Sequence, residues 1–296
     1  MHHMKESSSA LILLLTALIW GSTFVFQSEA SASVGPLCYN GLRMLLGFIV
    51  LLPLLIRSIK GKSRKEMKQL IKDGFVCGVL LFSASFFQQY GIGFTTAAKA
   101  GFITSLYILI VPVISLMFGK RNTLKTWLCV AAGLIGAFLL SINGREGLGK
   151  GDALIFICAV LFSLHVMFID HVSHRYRGVE LSAVQFFFAG ALACILSLIF
   201  EKNTTAGIRE ALVPILYGGI GSCGIAYTLQ IIGQKNMNAT KATLILSLES
   251  VFSAVGGALI LKETMTAKEI TGAVILFLSV VCAELPERRK VTPSSR

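Results

Sequence analysis

The chain has 296 residues, of which 54% are hydrophobic and only 14% are charged, whereas about 25% of the residues of a soluble globular protein are charged. This composition excludes an ordinary soluble enzyme and predicts an integral membrane protein. The formal net charge of +12 would also suit a nucleic-acid-binding protein, but the placement of the basic residues, described below, argues against a nucleic-acid partner.

Apolar runs close to the ~20 residues that cross a bilayer follow one another along the chain. They predict ten transmembrane helices, called spans 1 to 10 here, at 10–28, 36–56, 69–91, 96–118, 124–142, 151–172, 179–200, 209–234, 238–260 and 265–284. The connections are too short for a soluble domain, so we expect an all-α protein that works in the bilayer. Residues 285–296 are predicted to form a cytoplasmic tail.

Span 1 contains Trp20, Thr23 and Gln27, and no small-x-small cleavage site precedes span 2. We therefore expect span 1 to be a retained helix and not a signal peptide. With a cytoplasmic N-terminus, 18 of the 27 Lys and Arg residues fall in cytoplasmic segments, seven of them in the loop at 57–72. This positive-inside excess predicts that both termini are cytoplasmic.

An internal repeat relates the two halves of the chain. An offset of 142 residues aligns them without a gap from about residue 17 to 120, and places QQYGIGFTTAAKAGFITSL (88–106) on QIIGQKNMNATKATLILSL (230–248). Each repeat, 10–142 and 151–284, holds five spans. Because five is odd, the second repeat should be inverted in the membrane. Inverted repeats are typical of secondary transporters that work by alternating access, with a binding site near the midplane between the halves.

Polar side chains recur at helical spacing on six of the spans. In span 1 they lie at i, i+4, i+7 and i+11, on one helix face. The polar residues of these six spans are Thr16, Trp20, Thr23, Gln27, Ser85, Gln88, Gln89, Thr104, Tyr107, His165, Tyr227, Gln230, Gln234, Glu249 and Ser253. We expect spans 1, 3, 4, 6, 8 and 9 to surround a polar cavity. Spans 5 and 10 are almost wholly apolar, and should face lipid or a second copy in a homodimer.

Glu249 is the one acid in the run LILSLESVFSAVGGALIL, at 244–261. Counted along span 9, it lies about 16 Å into a ~30 Å hydrocarbon core. Ionisable groups at that depth usually serve function, although a buried structural hydrogen bond is the alternative. Since Tyr107 occupies the position of Glu249 in the first repeat, the two side chains should face each other.

Three further charged or ionisable residues have more than one interpretation. His165, at the repeat position of Thr23, either packs between helices or faces the cavity. Arg43 snorkels to the interface, forms a structural helix–helix bond or serves function. Lys99, like its counterpart Lys241, begins a helix and is expected at an interface as an anchor or a gate.

Patterns that could indicate bound groups have simpler explanations. GIGSCG (219–224) resembles a dinucleotide fingerprint, but no strand precedes it and its glycines should permit close helix packing. DHVSH (170–174) lacks further metal ligands, and the seven cysteines include no CxxC pair. Because no HExxH, GxSxG or Walker motif occurs either, the sequence predicts no metal, no cofactor and no catalytic residues.

These segments together resemble the EamA-type members of the drug/metabolite transporter superfamily. The likeness rests on WGSTFVFQ in span 1, GLRMLLG in span 2, Pro112 in span 4 and LESVFSAVGGALILKETMTAKEITGAVIL at 248–276. It implies a ten-helix carrier of the bacterial inner membrane that typically exports amino acids or other small metabolites. Where the family often has Glu-Pro in span 9, this chain has Glu249-Ser250, which favours an unkinked span 9.

The sequence therefore predicts a secondary transporter that exports a small metabolite such as an amino acid. Its predicted substrate site comprises Trp20, Thr23, Gln88, Tyr107, His165, Tyr227, Gln230 and Glu249, with Phe162 completing an apolar wall. Glu249 would pair with a substrate ammonium group or carry the coupling proton. The alternatives are an exporter of drug-like cations or lipid-linked compounds and, with less support, a membrane enzyme or a receptor.

Overall fold

The structure, a computed structural model, describes residues 6–120, 122–141, 149–260 and 266–285. Across these ranges the chain is helical and contains no β-strand. The α-helices are α1 (Glu6–Ala30), α2 (Pro36–Ile59), α3 (Arg64–Ile92), α4 (Ala97–Ser105), α5 (Tyr107–Met117), α6 (Leu124–Ser141), α7 (Lys150–Val172), α8 (Gly178–Phe200), α9 (Thr205–Glu210), α10 (Leu212–Leu216), α11 (Thr228–Gln234), α12 (Ala239–Leu246), α13 (Glu249–Ile260) and α14 (Ala267–Glu284). A π-helix, Tyr217–Tyr227, joins α10 to α11.

Seven helical stretches of the described chain are long and apolar enough to cross a membrane, which confirms an all-α multi-pass membrane protein. They correspond to spans 1, 2, 3, 4, 6, 7 and 8. The helix of span 5 is shorter, with an apolar stretch at Leu124–Leu140. Span 9 is interrupted, α14 carries three charged residues in span 10, and the predicted tail beyond Leu285 lies outside the described residues.

Span 9 is not continuous, so the expectation of an unkinked helix was wrong. Helix α12 ends at Leu246 and α13 begins at Glu249. The Ser247 hydroxyl donates to the Leu244 carbonyl oxygen at 2.7 Å, and Ser250 donates to the Ser247 carbonyl oxygen at 2.7 Å. Serine hydroxyls can donate to backbone carbonyl oxygens in competition with the N–H groups of the helix. The interruption therefore does not need a proline at 250.

Span 4 is interrupted at the position that the repeat relates to this one. Helix α4 ends at Ser105 and α5 begins at Tyr107. The Ser105 hydroxyl donates to the Phe102 carbonyl oxygen at 2.8 Å, and these two residues are the repeat counterparts of Ser247 and Leu244. Tyr107 and Glu249 therefore begin equivalent half-helices.

Helices α6 and α14, which are repeat counterparts, pack closely against each other through two glycines. A Cβ atom added to Gly136 would come within 2.7 Å of the Gly272 carbonyl oxygen, and one added to Gly272 within 2.5 Å of the Leu140 nitrogen. The opposite faces of both helices are apolar and exposed, at Leu124, Leu128, Ile135, Ile270, Val274, Phe277 and Leu278. These faces suit contact with lipid.

Polar groups hold the helix ends together on both sides of the bundle. Where α7 meets α8, the Tyr176 hydroxyl donates to Asp73 Oδ2 at 2.7 Å, and burial together with this carboxylate raises the pKa of Tyr176. At the other side, Glu201 accepts hydrogen bonds from the backbone nitrogens of Leu37 and Cys38, each at 2.8 Å. The acid thus caps the N-terminus of α2.

Lys99 does not extend to an interface as expected. Its side chain is buried, and Nζ lies 2.7 Å from Asp152 Oδ2. Thr95 and the Gly149 backbone nitrogen donate to the same carboxylate, at 2.9 Å and 2.8 Å. This ion pair fastens the start of α4 to the start of α7, at the end of the bundle opposite the Asp73 cluster.

Candidate functional site

The interruptions in spans 4 and 9 bring Tyr107 and Glu249 together. The Tyr107 hydroxyl donates to Glu249 Oε1 at 2.8 Å, and both side chains are buried. Each is the first residue of its half-helix, so the carboxylate lies at the N-terminal end of α13, where helical N–H groups favour negative charge. The contact between residues 142 positions apart is the one that the internal repeat predicts.

This pair forms part of the wall of a central cavity. Its lining residues come from both repeats: Trp20, Thr23, Phe24, Gln27, Arg43, Gln88, Thr104, Tyr107, Phe162, Val166, Ser222, Tyr227, Gln230, Leu246 and Glu249. The volume open to the centres of water molecules is about 30 Å³, which is room for two or three waters. An organic solute would require the surrounding helices to move apart.

One side of the cavity is a chain of amides. Gln27 Nε2 donates to Gln88 Oε1 at 3.1 Å, and Gln88 Nε2 donates to Thr104 Oγ1 at 3.3 Å. All three side chains are buried. This arrangement links α1, α3 and α4 and presents polar groups to the cavity without a net charge.

The other side is aromatic. The rings of Trp20 and Tyr227 lie 4.6 Å apart between centroids, inclined at 60°, and Phe162 lines the cavity beside them. Trp20 Nε1 and Gln230 Oε1 are buried with no hydrogen-bond partner among the described residues. Because burying an unpaired donor or acceptor is costly, these two atoms are available to a ligand.

His165 is the predicted site residue that does not line the cavity. It is fully buried, and its Nε2 atom lies 3.0 Å from Gln185 Oε1. The ring lies behind the aromatic wall, 6.3 Å from both Phe162 and Tyr227 between centroids. His165 therefore packs between helices, which is the first of its two interpretations. The other seven predicted residues line one cavity, and their role in binding stays a prediction.

Arg43 is the lining residue whose position the sequence failed to predict. It does not snorkel, since it is only 2% exposed. Its Nε atom does not form the alternative helix–helix bond either, because Nε donates to Asn40 Oδ1 of the same helix at 2.9 Å. A glycine of span 8 leaves room for the side chain, since a Cβ atom on Gly218 would lie 3.1 Å from Arg43 Cδ. Gly219 of GIGSCG also lies close to α2, because a Cβ atom there would lie 2.6 Å from Leu46 Cδ2; this is the close helix packing expected for that segment.

The cavity can thus hold a solute by hydrogen bonds, aromatic contacts and two charged groups of opposite sign. Across the described residues, no group of three or more His, Cys, Asp or Glu side chains is placed to hold a metal ion.

Comparison with known proteins agrees with this architecture. A solved crystal structure with 19% sequence identity matches with a TM-score of 0.77 and covers 94% of this chain and 96% of its own. At that identity the match shows the fold. An uncharacterized transporter of Archaeoglobus fulgidus is 32% identical over 95% of this chain and 87% of its own length. The uncharacterized transporter YoaV of Bacillus subtilis is 25% identical over 94% of this chain and 98% of its own.

A further relative is the uncharacterized inner membrane transporter YedA of Escherichia coli, which is 24% identical over 90% of this chain and 88% of its own. The model of the EamA-like transporter family matches twice, at residues 7–142 and 149–284. Two matches of one family to the two halves, together with the fold and the central cavity, show a membrane transporter. The chain belongs to the EamA-like transporter family.

Proposed function

We propose that this transporter exports a small metabolite, with an amino acid as the leading candidate, by alternating access between its two repeats. The observation that carries the proposal is the buried Tyr107–Glu249 pair, which lies in the cavity wall at equivalent helix interruptions of the two halves. A cavity built at this junction would open to one side or the other when the halves move.

Glu249 would recognise an ammonium group of the substrate or carry the coupling proton. A carboxylate inside a membrane helix costs free energy. Among the described residues, Tyr107 alone donates a hydrogen bond to Glu249. The aromatic rings of Trp20 and Tyr227 beside it provide contact area for an apolar group. Both roles use the carboxyl group of Glu249, so transport measurements must separate them.

The test is transport by purified Glu249→Gln protein in liposomes, with and without a pH gradient. Glu29→Gln is the matched control, because Glu29 lies exposed on α1. If the acid carries the proton, the variant loses gradient-driven accumulation and keeps exchange. If it binds the ammonium group, both activities fall. Transport equal to wild type in both conditions contradicts any role for Glu249.

The orientation that we propose places both termini in the cytoplasm of a bacterium and the carrier in its inner membrane. The support is the excess of Lys and Arg in the segments on that side. The apolar outer faces of α6 and α14 would then contact lipid or a second copy of the chain.

Export of drug-like cations is the second candidate. An aromatic wall beside a buried carboxylate suits an organic cation, which is attracted both by the charge and by ring faces. This candidate predicts that cells producing the protein tolerate lipophilic cations better than cells producing Glu249→Gln. An amino acid exporter confers no such tolerance.

A further inference from the structure

Arg43 is a buried cation on the wall of the cavity, and its orientation is fixed by groups around its base. Nε donates to Asn40 Oδ1 at 2.9 Å, and Asn40 Nδ2 in turn donates to the Ser85 carbonyl oxygen at 2.9 Å. The guanidinium carbon lies 5.2 Å from the centroid of the Tyr39 ring. The side chain is thus held at Nε and along one face.

No described carboxylate lies within ion-pair distance of Arg43. Each buried acid that the structure describes is already engaged with another group: Asp73 with Tyr176, Asp152 with Lys99, Glu180 with Lys62, and Glu249 with Tyr107. A buried charge without a counter-charge is unfavourable. An anion in the cavity would supply the missing partner.

Arg43 and Glu249 both line the cavity, yet they do not pair with each other. Because the cavity is small and both side chains line it, the two charges border one space. A solute with an ammonium group and a carboxylate would match this arrangement, and one with an ammonium group alone would leave Arg43 unneutralised.

We propose that Arg43 binds the carboxylate of the transported solute, so that this cavity requires a substrate with an anionic group opposite its ammonium group. The inference rests on the proposed function, in which Glu249 serves the ammonium group. The planar guanidinium suits a carboxylate, with which it can form two parallel hydrogen bonds. The two oppositely charged sites would select for zwitterions and against simple amines.

The experiment compares matched solutes that differ only in the carboxylate. Proteoliposomes of the full chain are loaded with the twenty L-amino acids and with the corresponding amino acid amides, and efflux is measured by mass spectrometry. Wild type should release at least one amino acid and release its amide at least about tenfold more slowly, the loss expected for a hydrogen-bonded charge.

Arg43→Gln should slow efflux of that amino acid by about 10- to 100-fold, while leaving the slow efflux of the amide unchanged. Arg57→Gln is the matched control, because Arg57 lies exposed on the same helix. A purely structural role for Arg43 would lower both rates together. If Arg43→Gln does not fold, the comparison of amino acid and amide on wild type still decides whether the cavity requires a carboxylate.

The outcomes separate this inference from the proposed function. Equal efflux of amides and amino acids by wild type, or undiminished amino acid efflux by Arg43→Gln, overturns the carboxylate role and leaves a carrier of amines in place. Release of none of these solutes by wild type overturns both this inference and the export of amino acids, the leading candidate of the proposed function.

Discussion

Tyr107 and Glu249 hold equivalent positions in the two halves but differ in chemistry, and this difference gives the cavity its acid. Two carboxylates at these positions would repel each other, and two tyrosines would leave the cavity without a negative charge. With one of each, the phenol donates to the carboxylate at 2.8 Å. Because one repeat has tyrosine and the other has glutamate at this position, the cavity is asymmetric although the helices around it are repeated.

Removing the phenol hydroxyl should destabilise the protein. Tyr107→Phe keeps the ring but leaves the buried carboxylate without its donor, and we expect a loss of about 1–3 kcal/mol in the free energy of unfolding. The measurement is thermal unfolding monitored with a thiol-reactive fluorescent dye, since buried cysteines such as Cys158 and Cys223 become reactive on unfolding.

A double-mutant cycle supplies the control. In a Glu249→Met background the hydroxyl has lost its acceptor, so Tyr107→Phe should there be close to neutral or stabilising. Equal effects in both backgrounds would show that the hydrogen bond does not couple the two residues.

The residue that Glu249 faces could be predicted from the sequence, because it follows from the 142-residue offset. The environment of Arg43 and His165 could not. Whether an arginine near a helix end points toward lipid headgroups or into the bundle depends on the neighbouring helix. Here that neighbour carries Gly218, which leaves space for the side chain.

At the scale of elements, the starts of several helices follow from local signals. Ser63 and Glu66 form a capping box at the start of α3, and Pro36 begins α2. The interruptions of spans 4 and 9 have no such signal, because serine hydroxyls occur in continuous membrane helices as well. The two interruptions support each other only when the halves are compared, because both fall at the same position of the repeat.

The π-helix at Tyr217–Tyr227 offers a test of how one element positions another. A Cβ atom on Gly218 would lie 2.8 Å from the Tyr39 hydroxyl oxygen and 3.1 Å from Arg43 Cδ. We expect Gly218→Ala to displace the Arg43 side chain, to destabilise the protein by about 1–3 kcal/mol and to slow transport.

Gly221→Ala is the matched control in the same helix, where the nearest atom would lie at 3.7 Å, an ordinary van der Waals contact. Melting temperature and proteoliposome transport are measured for both variants. Equal behaviour of the two would mean that the close approach of α2 to this segment does not determine the position of Arg43.

For the molecule as a whole, the proposed inversion of the second repeat predicts the side of the membrane on which each connecting segment lies. With an odd number of spans per repeat, the segment 57–72, where α2 passes into α3, should lie on the opposite side from its repeat counterpart near 201–210. The first segment carries seven Lys and Arg residues and the second carries two. The positive-inside rule therefore predicts that the first loop is cytoplasmic.

Cysteine labelling in intact bacterial cells checks this assignment. In a background with the seven native cysteines replaced by serine or alanine, Lys202→Cys should react with a membrane-impermeant maleimide added outside. Lys60→Cys should react only after the cells are permeabilised. Both positions are at helix ends and at least partly exposed, so access to the reagent, not burial, decides the result. Labelling of both residues from outside, or of Lys60→Cys alone, would contradict an inverted pair of repeats with cytoplasmic termini. Labelling of both residues from outside would also remove the structural basis for alternating access through the cavity at Glu249.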